Sequence, residues 1–166
     1  MVYTTPRTWV TGELVTAAML NEQIRDNENA IVPNGAGAWT AYTPTLTQSG
    51  AVTKTVTSAR YMKVGRMVTA VVYLTCTGSG TASNPVLIGL PVAAAAINLR
   101  VGVGQIVDAS AGFVAYNGIA EILTTTTVRL WPASTDSGDV LGNVVFTAAL
   151  ANNDQVHISV TYEAAS

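Results

Sequence analysis

The sequence predicts an all-β domain, a jelly-roll-like sandwich, preceded by a short N-terminal α-helix. Three observations carry this expectation. From Trp39 onward the chain is a succession of short runs rich in Val, Ile, Thr and Tyr, many alternating apolar with polar residues at the period of a half-buried strand. Turn residues punctuate the runs at short intervals, as in Gly78-Ser-Gly80, Asn117-Gly118, Asp136-Ser-Gly-Asp139 and Asn152-Asn-Asp154. Only the segment between Thr16 and Ile31 carries helical spacing instead. The division that follows is an attachment segment over 1–33, a linker over 34–38 and a β-sandwich over 39–166.

Thr16 is the expected helix N-cap, because its hydroxyl can accept from the orphan amides of a first turn. Ala17, Leu20, Ile24 and Ile31 then recur at heptad steps, with Asn27 in the remaining seam position. Glu22 and Arg25, three apart, are placed to pair across one turn. Pro33 and Asn34-Gly35 stop the helix, and the glycines and alanines of 34–38 make a flexible linker. A helix of about fifteen residues is marginal alone in water. Its narrow seam needs a partner: another copy, a docking surface or the chain's own β domain. Asn27 would cost stability there but could fix register in an oligomer.

Trp39 to Thr47 opens the body, and Pro44 marks it as an edge strand. Ala51 to Ser58 alternates, and Arg60 to Val64 forms a hairpin through Gly65 with the strand that follows. That strand is the clearest in the chain, with Val68, Ala70, Val72, Leu74 and Cys76 on one face. Val86 to Leu90 is a continuous apolar run of strand length. Further strands are expected at Leu99–Val107, Gly112–Tyr116, Ile119–Leu123, Thr126–Trp131, Asn143–Ala149 and Gln155–Glu163. No repeat of solenoid or propeller length is visible.

Charged residues are 11% of the chain, against roughly 25% in ordinary soluble domains. The outer faces therefore take their polarity from threonine, which leaves sheet edges poorly guarded and favours their burial between copies. The net charge of -2 lies wholly in the leader, where Arg7 and Arg25 face Glu13, Glu22, Asp26 and Glu28. With no basic patch to collect phosphates, nucleic-acid binding is not expected. Neither is membrane insertion, since the weakly apolar run Leu90–Ile97 is short and contains Pro91. No secretory leader pattern is present, so synthesis in a cytoplasm is expected. The single Cys76 falls on an apolar face and reads as an inert buried thiol.

Signs of chemistry are few. His157 is the only histidine, points outward beside Ser159 and Thr161, and lacks a nucleophile elbow or metal-binding partners. Asp136 and Asp139 do not match a calcium-loop spacing. Gly102 and Gly104 lack the third glycine and the following helix of a dinucleotide site, and so indicate a bulge or a close backbone approach. No catalytic, cofactor or metal site is assigned, and an enzyme is not expected. Trp39, Tyr42, Tyr61, Tyr116 and Trp131 are the candidates for a ligand-facing surface such as one for a host-surface glycan. The alternative is that they fill the core or a subunit interface.

The leader pattern Pro6-Arg-x-Trp9, Gly12-Glu13, Val15-Thr-Ala17, Leu20-Asn21 and Ile24-Arg-Asp-Asn27 resembles an attachment segment found near the start of structural proteins of tailed bacteriophages. In the body, Trp39-x-x-Tyr42-x-Pro44-x-Leu46, Arg60-Tyr-x-x-Val64-Gly65-Arg66, Leu90-Pro91 and Val160-Thr-Tyr-Glu163 resemble the β domains attached to such leaders. The resemblance implies a virion component without an enzymatic site, assembled as a homotrimer with other phage virion proteins. The leading expectation is a tail fibre, spike or receptor-binding component, anchored by Trp9, Leu14, Leu20, Ile24 and Ile31. A capsid decoration or head-fibre protein is the alternative within that family. A free carbohydrate-binding module is the alternative outside it.

Overall fold

The structure is a computed structural model that describes residues 4–28, 39–132 and 145–165. The chain divides into two compact units, Met1–Trp39 and Thr40–Ser166.

In the first unit, Thr16 caps α1 (Ala17–Leu20) as expected, its hydroxyl accepting from the Met19 amide at 3.3 Å. The helix then widens into a π-helix over Asn21–Asp26. This change of pitch ends the heptad register that the spacing implied. Asn27 is buried rather than set in an open seam, and it clamps the leader within the chain. Its side chain accepts from the Thr4 amide at 2.8 Å and donates to the Thr4 and Gln23 carbonyls. Arg25 pairs with the adjacent Asp26 at 2.8 Å, not with Glu22. The linker residues 34–38 lie outside the described residues.

The second unit is all-β, as the sequence predicts, and its layers belong to one antiparallel sheet that curls around the core. Ten strands form it: β1 (Thr40–Ala41), β2 (Leu46–Gln48), β3 (Gly50–Ala51), β4 (Lys54–Val64), β5 (Met67–Cys76), β6 (Val86–Gly89), β7 (Arg100–Asp108), β8 (Val114–Thr124), β9 (Thr127–Pro132) and β10 (Gln155–Glu163). Their order is β1-β4-β5-β10-β7-β8-β9-β6-β2-β3. The last strand is thus inserted at the centre, between β5 and β7. The chain itself brings the two ends of the sheet together. β3 runs into β4 through Val52 and Thr53, and the Thr53 carbonyl accepts from the Thr77 and Gly78 amides.

Strand period decides what is buried. On β5, Val68, Ala70, Leu74 and their alternating neighbours face inward, and on β10 Val156, Ile158, Val160 and Tyr162 do the same. Ile106, Ala120, Ile122, Val128, Leu130, Val86, Ile88 and Leu46 complete the core from the other strands. Cys76 is buried there, and burial pushes its thiol up to about 11, which keeps it protonated and inert. β4 and β5 meet in the expected hairpin, with Gly65 at a φ of +57° in its turn.

Two sequence expectations are corrected here. Asn117-Gly118 is not a turn between two strands but lies inside the single strand β8. A Cβ at Gly118 would stand 2.0 Å from the Trp131 carbonyl oxygen, so the glycine serves a close approach of β8 to β9. The same holds on β7, where a Cβ at Gly102 would sit 2.0 Å from the Ser159 carbonyl oxygen and one at Gly104 2.6 Å from that of His157. A register shift also falls between Arg100 and Gly102, in line with the bulge or close approach read from these glycines. The second correction concerns the strand expected at Asn143–Ala149. Its described part, Val145 to Ala149, is not a strand. Fully buried Gln48 replaces the missing ladder: it accepts from the Leu150 amide at 2.8 Å and donates to the Ala148 carbonyl at 2.9 Å. Asp154, also fully buried, accepts from the Ala109 and Ala151 amides at 2.9 and 2.8 Å and so ties two loops together.

Candidate functional site

The leader places its apolar side chains outward. Leu14 is 82% exposed, Ile24 58% and Leu20 and Trp9 44% each. Val10 and Val15, which the spacing did not single out, are exposed beside them in sequence. Polar side chains hold the segment that carries them. Arg7 pairs with Glu13, its amide donates to Gln23 at 2.9 Å, and its guanidinium lies 5.0 Å from the Trp9 ring centre. Ile31 lies outside the described residues.

Within the β unit, the candidate aromatics Tyr42, Tyr61, Tyr116 and Trp131 make separate contacts rather than one stacked cluster. Trp39 is 40% exposed and belongs to the first unit. Tyr42 and Tyr61 meet edge to face at 5.9 Å and pack against the core, and burial raises the Tyr42 hydroxyl well above its ordinary range. Tyr116 packs edge to face on Phe146 at 5.3 Å. Trp131 is covered on one face by the Arg129 guanidinium, 3.7 Å from the ring centre, which also pairs with Glu121 at 2.7 Å.

A surface cavity lies elsewhere, on the outer face of β4, β5, β10, β7 and β8. It is an open groove of about 540 Å³, within the range of small-ligand sites. Two cross-strand rows build it. Strand register aligns Ser58, Tyr73, His157, Gln105 and Asn117 as one row. The next row on the same face is Arg60, Val71, Ser159 and Val103. Tyr73 and His157 stack with ring centres 4.1 Å apart and planes at 21°. Partial burial lowers the His157 pKa and so favours the neutral imidazole. Gln105 donates to the Asn117 side chain at 2.8 Å, which fixes both amides.

Sequence reasoning placed His157 and Ser159 outward but missed Tyr73 as their neighbour. The available clue was on β5, whose outward set, Thr69, Val71, Tyr73 and Thr75, has two large apolar groups among threonines. What could not be read was the insertion of β10 beside β5, which makes the row.

Asp136 and Asp139 lie outside the described residues. Among the described residues no three His, Cys, Asp or Glu side chains are grouped to hold a metal, and no helix is long and apolar enough to cross a membrane. No family model, curated protein or solved structure matches the chain significantly.

Proposed function

We propose that this protein is a non-enzymatic structural component of a tailed-phage virion, a homotrimeric tail-fibre, spike or receptor-binding subunit. Its leader docks on another virion protein and its β domain is displayed. The observation that carries the reading is the outward set of Trp9, Leu14, Leu20 and Ile24 on a short clamped segment. Such a segment cannot bury its own apolar groups, and about ten helical residues are too few to be stable by propensity alone. The likeness of that same stretch to phage attachment segments supplies the nature of the partner. The low charge and threonine-covered faces fit a chain that works inside an assembly.

Immunogold labelling of intact particles with antibody to the β domain tests this. Gold on the tail tip or fibres is the expected result. Gold spread over the head would move the protein to capsid decoration, and particles without gold would overturn the virion reading.

A further inference from the structure

β10 sits where the curled sheet closes. The neighbours β7-β8-β9-β6-β2-β3 lead through Val52 and Thr53 into β4 and so to β5. The gap between β5 and β7 is the one that β10 fills, pairing with β5 over Gln155–Glu163 and with β7 over Gln155–Val160. It carries Val156, Ile158, Val160 and Tyr162 into the core. Its room is specific: Gly102 and Gly104 of β7 lie where a side chain would strike the Ser159 and His157 carbonyls.

The strands on either side of the gap are built from local pairings. β4 and β5 form a hairpin, and β7, β8 and β9 are consecutive neighbours joined by short turns. The contacts of β10 are remote by comparison. Thr161 meets Thr69 across 92 residues of chain, and Arg66 meets Ala164 across 98. Such contacts reward the chain only after the closure entropy of long loops has been met, whereas hairpins gain theirs at once.

Both ends of β10 are clasped. At one end the Asp154 carbonyl accepts from the Cys76 amide at 2.7 Å, while its carboxylate accepts from the Ala109 amide at 2.9 Å. One residue thus grips the end of β5 and the turn after β7. At the other end the Ala164 amide donates to the Arg66 carbonyl at 2.7 Å, and Arg66 pairs with Glu163 at 3.1 Å. The Glu163 carbonyl accepts from the Ala95 amide at 2.8 Å, and the Tyr162 hydroxyl donates to the Val92 carbonyl at 2.7 Å. These clasps form only when β10 is in place.

We infer that β10 is a latch strand. It inserts after the rate-limiting step of folding and parts before that of unfolding, and so it sets how long the β unit stays folded.

The test follows refolding and unfolding rates of the full chain against urea. It compares the parent with Ile158→Val and Val160→Ala on β10 and Ile122→Val on β8. All three side chains are buried, and each change only shortens an apolar group. The two β10 variants are expected to unfold about threefold faster or more and to refold within about 1.5-fold of the parent. Ile122→Val is expected to refold about twofold slower or more. β10 variants that slow refolding by as large a factor as Ile122→Val overturn the inference, and so does an unchanged unfolding rate. Should Val160→Ala fail to fold, the milder Ile158→Val decides alone.

Discussion

At the scale of single residues, the polar side chains that matter are those given more than one task. Asn27 closes the leader, Gln48 stands in for a strand, Asp154 ties two loops, and His157 stacks on Tyr73. His157 has a measurable consequence. Burial favours its neutral form, so its folded pKa lies below the ordinary value of about 6.5. As pH falls through that value the unfolded chain takes up the proton first. Stability is therefore lost on acidification and levels off once the folded form is protonated too. As the chain's only histidine, it dominates the pH window below its ordinary value and above the carboxylate range. Thermal unfolding should fall in midpoint across that window, and His157→Gln should flatten the fall. An unchanged slope in the variant would assign the pH dependence to carboxylates. None of these roles was legible in the sequence, because each includes a partner on a segment remote in the chain: Asp154 reaches Ala109, and Gln48 reaches Leu150.

At the scale of elements, legibility follows periodicity. β5 and β10 were read nearly to the residue because strict alternation over many residues has one reading, a half-buried strand. The helix was read at its cap and misread beyond it, since spacing does not distinguish an α-helix from one that widens into π geometry. β8 was split in two because Asn-Gly is the usual hairpin turn. Here packing overrides that local preference: Gly118 faces the inner side, where a side chain would strike β9. Gly102→Ala and Gly118→Ala should each cost about 3 kcal/mol or more, because the obstructing atoms are backbone. Gly50→Ala, with nothing within 4 Å, should change stability by less than about 0.5 kcal/mol. Urea unfolding of the three variants checks the contrast, and equal effects would refute the close-approach account of the curled sheet.

At the scale of the whole molecule, the chain divides its labour between two units. The β unit buries a continuous apolar core and ties its irregular segments with buried polar groups, so it has the means of its own stability. Among the described residues the leader has few buried groups beyond Asn27 and exposes its large apolar side chains, so it has little core of its own. This division was visible in the sequence as the switch from helical to strand period and the collection of net charge in the leader. The groove was not, because a face assembled from several strands has no linear signature. The most direct measurement of the central claim uses full-length protein carrying Leu20→Asp with Ile24→Asp, followed for incorporation into phage particles beside its thermal unfolding. The account expects an unchanged β-domain transition, since both side chains are exposed in the leader, with incorporation lost. A variant that enters particles as well as the parent would contradict the assignment of the leader as the docking unit.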